Sequence, residues 1–260
     1  SLALDALKPD EVAAQSLSNV AWSLATMQLP RADLFSKIVS LAAGDVSSFQ
    51  PFELANLLWA CAKLGASDDR ILSMTEPIFQ EAETYVVARA DPIPFRCLAT
   101  MLWALATVKR YHHSFFGFVA EKMLSQVFTA NCQELANTTW ALGKADFRHE
   151  QLCSELATRA LSSLQAFKAQ ELSNMVWGFS CIGFFHDRFF AEVATALKSM
   201  ELTTQHIANI SAAYVRVAPG HQVTRAVLLN LLPHCCDRVR AFKPQEISAV
   251  VLAVSKAFGK

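Results

Sequence analysis

The stretch QELANTTWAL at residues 133–142 decides the fold of this chain, because it recurs with small changes along the whole sequence. Close copies are FELANLLWAC at 52–61, RCLATMLWAL at 96–105 and QELSNMVWGF at 170–179; QSLSNVAWSL at 15–24 precedes them, and the weaker QHIANISAAY at 205–214 and QEISAVVLAV at 245–254 follow. The tryptophan of the motif falls at positions 22, 59, 103, 140 and 177, and Ala212 and Leu252 replace it in the last two copies. The steps between copies are 37, 44, 37, 37, 35 and 40 residues, which is typical of a solenoid built from helical repeats.

Each copy carries the signals that begin and end a helix. We number positions from the tryptophan, slot 0, so that Lys144 lies at slot +4 of the fourth repeat. Slot −9 is an N-cap residue such as Asn131 or Thr203, and slots −8 and −6 hold proline and glutamate in several copies, at Pro51, Pro244, Glu53, Glu134, Glu171 and Glu246. Gly65 and Gly183 at slot +6 are stop signals. These signals predict a first helix of about 15 residues in each repeat.

A second amphipathic helix follows the first, as the shared face of Phe115, Val119 and Met123 indicates. We expect Pro77 to break or kink the second helix in the 44-residue step, and Pro233 to do the same in the 40-residue step. The sequence therefore predicts an all-α protein, an α-solenoid of about seven helix–turn–helix repeats, most of them 37–44 residues long, in one array over residues 1–260. Because the chain begins with Ser and ends just after the seventh motif, we expect it to be part of a longer protein.

The first helix is apolar almost all round. Slots −4 and +3 are nearly all Ala, Ser or Gly, as at Ala136 and Gly143, and form a smooth strip where another helix can come close. A helix of this kind must pack against other helices on most of its sides. Stacking against its own second helix and both neighbouring repeats provides these contacts.

Composition narrows the function. The chain has 23 basic and 23 acidic residues, which argues against tight nonspecific nucleic-acid binding through net charge but allows a local basic strip. The cysteines have no CxxC spacing, so we expect reduced thiols, mostly in the core, at Cys61, Cys97, Cys132, Cys153, Cys181, Cys235 and Cys236. No uncharged apolar run reaches the roughly 18 residues of a membrane span. The adjacent His112 and His113 do not indicate a metal site. The sequence contains no catalytic motif that would indicate an enzyme.

One narrow arc of the first helix breaks the apolar pattern, and we call it the polar stripe. It comprises slots −7, −3 and +4, which fall within about 40° of one another, with the tryptophan beside them. Amides and cations are the groups that contact base edges and phosphates, and bases stack on indole rings. The predicted RNA-binding residues are therefore Gln15, Asn19, Asn56, Lys63, Arg96, Thr100, Gln133, Asn137, Lys144, Gln170, Asn174, Gln205, Asn209, Arg216, Gln245 and Lys256.

Structural roles compete with RNA binding at each slot. The slot −3 asparagines can bond to the backbone or to the next repeat as an internal ladder. We expect the tryptophans chiefly to fill gaps between repeats, with the indole N–H bonded locally. Slot −7 can be a solvated first turn, and the slot +4 cations are expected to face solvent.

The core L-(A/S)-N-x-x-W-(A/S)-(L/F) at this spacing resembles the octotricopeptide and heptatricopeptide repeats, of the wider group that includes FAST-kinase-like and RAP-domain proteins. The resemblance covers residues 11–260 and is clearest in the five copies that keep tryptophan. It implies an α-solenoid in the mitochondrial matrix or plastid stroma, with single-stranded or ribosomal RNA and other proteins of a larger complex as partners, no cofactor and no membrane insertion.

Three hypotheses follow. The first is a non-catalytic RNA-binding solenoid acting in RNA maturation, stability or translation. The second is an architectural protein-binding subunit of a large assembly such as an organellar ribosome. The third is a scaffold that holds an extended peptide along its asparagine row, by analogy with armadillo-type solenoids.

Overall fold

The computed structural model describes residues 13–259 and contains fourteen α-helices and no β-strand over that range. In chain order the helices are α1 (Ala14–Thr26), α2 (Ala32–Gly44), α3 (Pro51–Gly65), α4 (Asp69–Met74), α5 (Glu76–Ala88), α6 (Phe95–Thr107), α7 (His113–Leu124), α8 (Cys132–Lys144), α9 (Glu150–Ser162), α10 (Ala169–Cys181), α11 (Asp187–Ala196), α12 (Thr204–Val217), α13 (Gln222–Asp237) and α14 (Pro244–Phe258). The first helices of the seven repeats are α1, α3, α6, α8, α10, α12 and α14. The all-α prediction is confirmed.

The chain forms two compact units, Ser1–Gln126 and Val127–Lys260. In the first unit, α3 packs between α1 and α6, and α2 packs against α4 and α5. In the second unit, α10 packs between α8 and α12, α12 packs between α10 and α14, and the second helices α9, α11 and α13 also contact one another in order. Within each unit, repeats therefore stack in sequence order, as predicted for a solenoid. The single array over residues 1–260 stays a prediction.

The predicted helix starts are confirmed at their hydrogen bonds. The Asn131 side chain accepts a hydrogen bond from the Glu134 N–H at 3.0 Å, and the Glu134 carboxylate accepts one from the Asn131 N–H at 3.1 Å. Pro51 and Pro244 begin α3 and α14. Each glutamate at slot −6 satisfies an N–H group that the first turn of a helix leaves unpaired, which stabilises the start of its repeat.

Slot +6 ends the first helix through a left-handed residue. Gly183 has φ +64°, as its stop signal predicts, and Gln28, Lys109 and Asp146 occupy the same slot with φ between 50° and 62°. A hydrogen bond from the residue at slot +7 back to slot +2 closes each of these four ends, at 2.9–3.0 Å. Gly65 is the last residue of α3, as its stop signal predicts, but it does not take the left-handed conformation. Non-glycine residues here carry some backbone strain.

The two second-helix prolines have different outcomes. Pro77 lies in the first turn of α5, just after the break that separates α4 from α5, as expected. Pro233 does not break its helix, because α13 runs through it, and a kink at Pro233 stays a prediction. Both Pro233 and Leu229, whose carbonyl loses its helical partner, lie on the exposed side of α13, where water can take up that carbonyl.

The first helices of the second unit approach each other closely at glycine. A Cβ atom built on Gly143 would lie 2.6 Å from the Cα of Gly178, and a Cβ on Gly178 would lie 2.7 Å from the carbonyl carbon of Thr139. Gly143 belongs to the predicted small-residue strip, but Gly178 lies at slot +1, which the prediction overlooked. That slot is Ser, Ala or Gly in all seven repeats, so small residues lie on two opposite sides of each first helix.

Candidate nucleic-acid interface

The polar stripe is the accessible arc of the sandwiched first helices. In α3, from Leu54 to Gly65, only Asn56, Trp59 and Lys63 are not buried. The same three slots, and no others, are not buried between slots −5 and +4 of α10 and α12. Burial on every other side leaves the side chains of these slots as the surface that a ligand can reach on each helix.

The three rows of the stripe differ in depth. All six predicted residues at slot −7 are exposed, namely Gln15, Arg96, Gln133, Gln170, Gln205 and Gln245. At slot −3, Asn19 is exposed and the others are half-buried, namely Asn56, Thr100, Asn137, Asn174 and Asn209. The slot +4 cations are exposed, namely Lys63, Lys144, Arg216 and Lys256. The stripe is therefore a row of half-buried amides between two more exposed rows.

The tryptophans are not core residues, contrary to the expectation. None of the five is buried, and Trp22 keeps 46% of its surface exposed. Neighbouring rings nevertheless contact each other within each unit: the centroids of Trp22 and Trp59 are 6.4 Å apart, and those of Trp140 and Trp177 are 6.3 Å apart. The indoles thus form a partly exposed aromatic edge beside the stripe.

The slot −3 asparagines do not form the internal ladder that was one alternative. Among the described residues, the side chains of Asn56, Asn137, Asn174 and Asn209 neither donate nor accept a hydrogen bond within the protein. Thr100 differs, since its hydroxyl donates to the Arg96 carbonyl at 2.8 Å. Four half-buried amides consequently keep their full hydrogen-bonding capacity for water or a ligand.

Two of the cations interact with neighbouring groups of the stripe. The Lys144 ammonium lies 5.5 Å from the centroid of the Trp140 ring. The Arg216 guanidinium donates hydrogen bonds to Ser180 at 3.0 Å and to Cys181 at 3.2 Å, so it reaches back across the repeat whose own slot +4 is uncharged. These contacts hold the Lys144 charge beside the Trp140 ring and the Arg216 charge beside slot +4 of the preceding repeat.

The stripe has a uniform electrostatic sign. Slots −7, −3, 0 and +4 of the seven repeats carry five cations and no Asp or Glu, although the chain has 23 acidic residues. The carboxylates at slot −6 accept hydrogen bonds at the helix N-termini, as Glu171 does from the Lys168 N–H at 2.8 Å. Within each unit of a protein whose net charge is zero, the stripe therefore carries cations and favours an anionic ligand.

Two features near the stripe escaped the sequence interpretation. Phe52 occupies slot −7 of the second repeat with 42% of its surface exposed, where other repeats have Gln or Arg. Histidine caps three second helices at slot +9: the Nδ1 atoms of His149, His186 and His221 accept N–H groups of α9, α11 and α13 at 3.2–3.3 Å. The regular spacing of these histidines was the signal that could have revealed their capping role.

The other chemistry-bearing groups form no site. Within residues 13–259 there is no cluster of His, Cys, Asp and Glu that could hold a metal ion, and no helix is long and apolar enough to cross a membrane. Cys61, Cys97 and Cys153 are buried, as expected for core thiols, whereas Cys236 is exposed. Burial raises the pKa of the Cys153 thiol to about 11, so this thiol stays protonated near neutral pH.

Comparison with known proteins finds one short similarity. No protein-family profile matches the chain. A segment of 87 residues, 34% of this chain, is 33% identical to a protein of Oryza sativa subsp. japonica described as "RAP domain-containing protein, chloroplastic". The match spans 14% of the length of that rice protein. This similarity agrees with the resemblance to organellar repeat proteins of the RAP-associated group, while the type of repeat stays a prediction.

Proposed function

We propose that this chain is a non-catalytic RNA-binding helical-repeat protein that holds single-stranded RNA along the polar stripe. The observation that carries the proposal is the character of the accessible arc: between slots −5 and +4 of α3, α10 and α12, only amides, aromatic or small side chains and cations reach solvent, apart from Cys181. Cations suit phosphates, unpaired amides suit base edges, and partly exposed indoles suit unstacked bases. A duplex offers its bases less readily to such a narrow row.

The proposed setting is an organelle, where the protein acts in RNA maturation, stability or translation. The similarity to a rice protein whose name places it in the chloroplast supports an organellar location, in a plastid or a mitochondrion. The RAP domain in the name of that protein supports membership of a group whose helical repeats accompany RNA-related domains. Ribosomal RNA is one ligand that this proposal includes.

The test is binding of a labelled single-stranded RNA, measured by fluorescence anisotropy over a series of salt concentrations. We expect the affinity to fall steeply with salt, because phosphate contacts release counterions. The slope of log affinity against log salt is negative, and each phosphate that a cation neutralises on a single strand adds roughly 0.7 to its size. Replacing Lys63 and Lys144 with Ala should therefore make the slope shallower by about 1.4.

The matched control replaces Lys198 and Arg240, which are exposed in the short 3-10 turns Leu197–Ser199 and Val239–Ala241 and do not belong to the slots of the stripe. This double variant changes the net charge equally and should leave the slope unchanged. An equal fall in affinity in both double variants would show nonspecific attraction rather than a site. Absence of RNA binding at low salt would refute the proposal and favour the architectural or peptide-binding scaffold.

A further inference from the structure

Three consecutive repeats of the second unit present the same pair of amides. The pairs are Gln133 with Asn137, Gln170 with Asn174, and Gln205 with Asn209, each four residues apart and hence on one face of a helix. In the first unit the corresponding pairs all differ from one another: Gln15 with Asn19, Phe52 with Asn56, and Arg96 with Thr100. A ligand that satisfies all three pairs of the second unit must offer the same hydrogen-bonding edge three times in succession.

We infer that the stripe of the second unit selects a run of adenines in single-stranded RNA over a mixed sequence. This inference rests on the proposed function and names the ligand of the same surface. Of the two units, only the second has the repeated pair, so this unit carries the selectivity.

The spacing of the aromatic edge sets the register. The Trp140 and Trp177 centroids are 6.3 Å apart, whereas nucleotides rise by about 3.4 Å along each strand of a duplex. A strand that places one base near each ring therefore has its own bases drawn apart, and the repeats that carry Trp140 and Trp177 meet successive nucleotides. The third repeat has Ala212 in place of a ring and contributes its amide pair alone. The edges of those bases are then open to the amides at slots −7 and −3.

The chemistry of the amide pair favours adenine. A carboxamide offers a carbonyl acceptor beside an N–H₂ donor, and adenine offers the complementary N6–H₂ donor beside a ring-nitrogen acceptor. Guanine matches an amide only through the edge that carries N1, because on the edge that carries N7 it presents two acceptors, O6 and N7, and leaves the amide carbonyl unpaired; adenine matches an amide on both edges. Uracil and cytosine can also match an amide through the edge that carries N3, but their single ring offers less surface to stack on the neighbouring indole.

The half-buried state of the asparagines strengthens the discrimination. The side-chain amides of Asn137, Asn174 and Asn209 are partly withdrawn from solvent and make no hydrogen bond within the described residues. A base that fails to pair with such an amide leaves it poorly solvated, and this mismatch lowers affinity. The exposed glutamine of each pair supplies a second contact that can be removed without disturbing the helix core.

The experiment compares fluorescein-labelled 12-mers of A, U, C and a mixed sequence by anisotropy at one salt concentration. We expect the A 12-mer to bind about tenfold more tightly than the mixed 12-mer, a modest part of the discrimination that bidentate amide contacts can provide. Changing Gln133, Gln170 and Gln205 together to Ala should reduce this preference to about threefold or less, because only the asparagine of each pair remains.

The control changes three exposed glutamines of the same unit that lie off the stripe, Gln151, Gln165 and Gln222, and should retain the preference. Equal affinity for A and mixed 12-mers, or tighter binding of U or C, would overturn the adenine assignment while leaving RNA binding intact. Failure of every oligonucleotide to bind at low salt would instead defeat the proposed function itself, so the two failures are distinguishable.

Discussion

Gly178 is the position at which one methyl group should disturb the stack most. A Cβ added there would lie 2.7 Å from the carbonyl carbon of Thr139 and closer still to its oxygen, so it meets the backbone of α8 rather than a flexible side chain. Helix α10 must then move away from α8. The same interface contains Gly143 and the fully buried side chain of Thr139, and it cannot separate at one point without loosening these contacts.

Two opposing effects set the expected change in the free energy of unfolding of the Gly178→Ala variant. Overpacking a well-packed interface costs about 1–3 kcal/mol, and replacing a mid-helix glycine with alanine returns about 0.5–1 kcal/mol of backbone entropy. We therefore expect Gly178→Ala to lower the free energy of unfolding by about 1–2 kcal/mol, or the melting temperature by about 3–8 °C for a unit of this size. Urea and thermal unfolding followed by circular dichroism would measure both.

Gly44→Ala is the matched control, because Gly44 ends helix α2 with nothing within 4 Å of the added Cβ. This variant should be as stable as the parent or slightly more stable. If Gly178→Ala matches the parent in stability while Gly44→Ala behaves as expected, the close crossing of α8 and α10 is not present in solution and the packing argument fails.

Two further predictions concern backbone strain and pH. Asp146→Gly should raise the free energy of unfolding by about 0.5–1 kcal/mol, because glycine adopts the φ of 50° at this position without a Cβ penalty. Gly183→Ala should lower the free energy of unfolding by about 1 kcal/mol. If urea unfolding shows both variants as stable as the parent, the left-handed helix ends are contradicted. The folded-state pKa of Cys153 is raised from 9.0 to about 11, so its contribution to stability is complete below pH 9 and is lost as the pH rises through 11. Cys153→Ala should reduce this alkaline loss by about 3 kcal/mol, because one pKa unit corresponds to about 1.4 kcal/mol, whereas removing the exposed Cys236 should not.

Much of the fold follows from local sequence chemistry. The recurring Asn131-type caps, the glutamates at slot −6 and the regular tryptophan spacing predict where first helices begin and that repeats stack, because these signals act within one turn of a helix. The polar stripe was also predictable, since slots −7, −3 and +4 share one side of any α-helix. All sixteen predicted residues lie on surface that is exposed or half-buried.

Tertiary packing decided what the periodicity left open. Whether Trp59 and Trp177 fill the core or edge the stripe depends on which sides of the first helix its neighbours cover, and the stacked helices leave slot 0 accessible even where it is Ala212. Lys109 takes a left-handed conformation that its residue type disfavours, because the turn into the second helix must close at that slot. Local signals define the start of each helix and its faces, whereas the distance between helices depends on residues far apart in sequence and is settled only when the repeats pack.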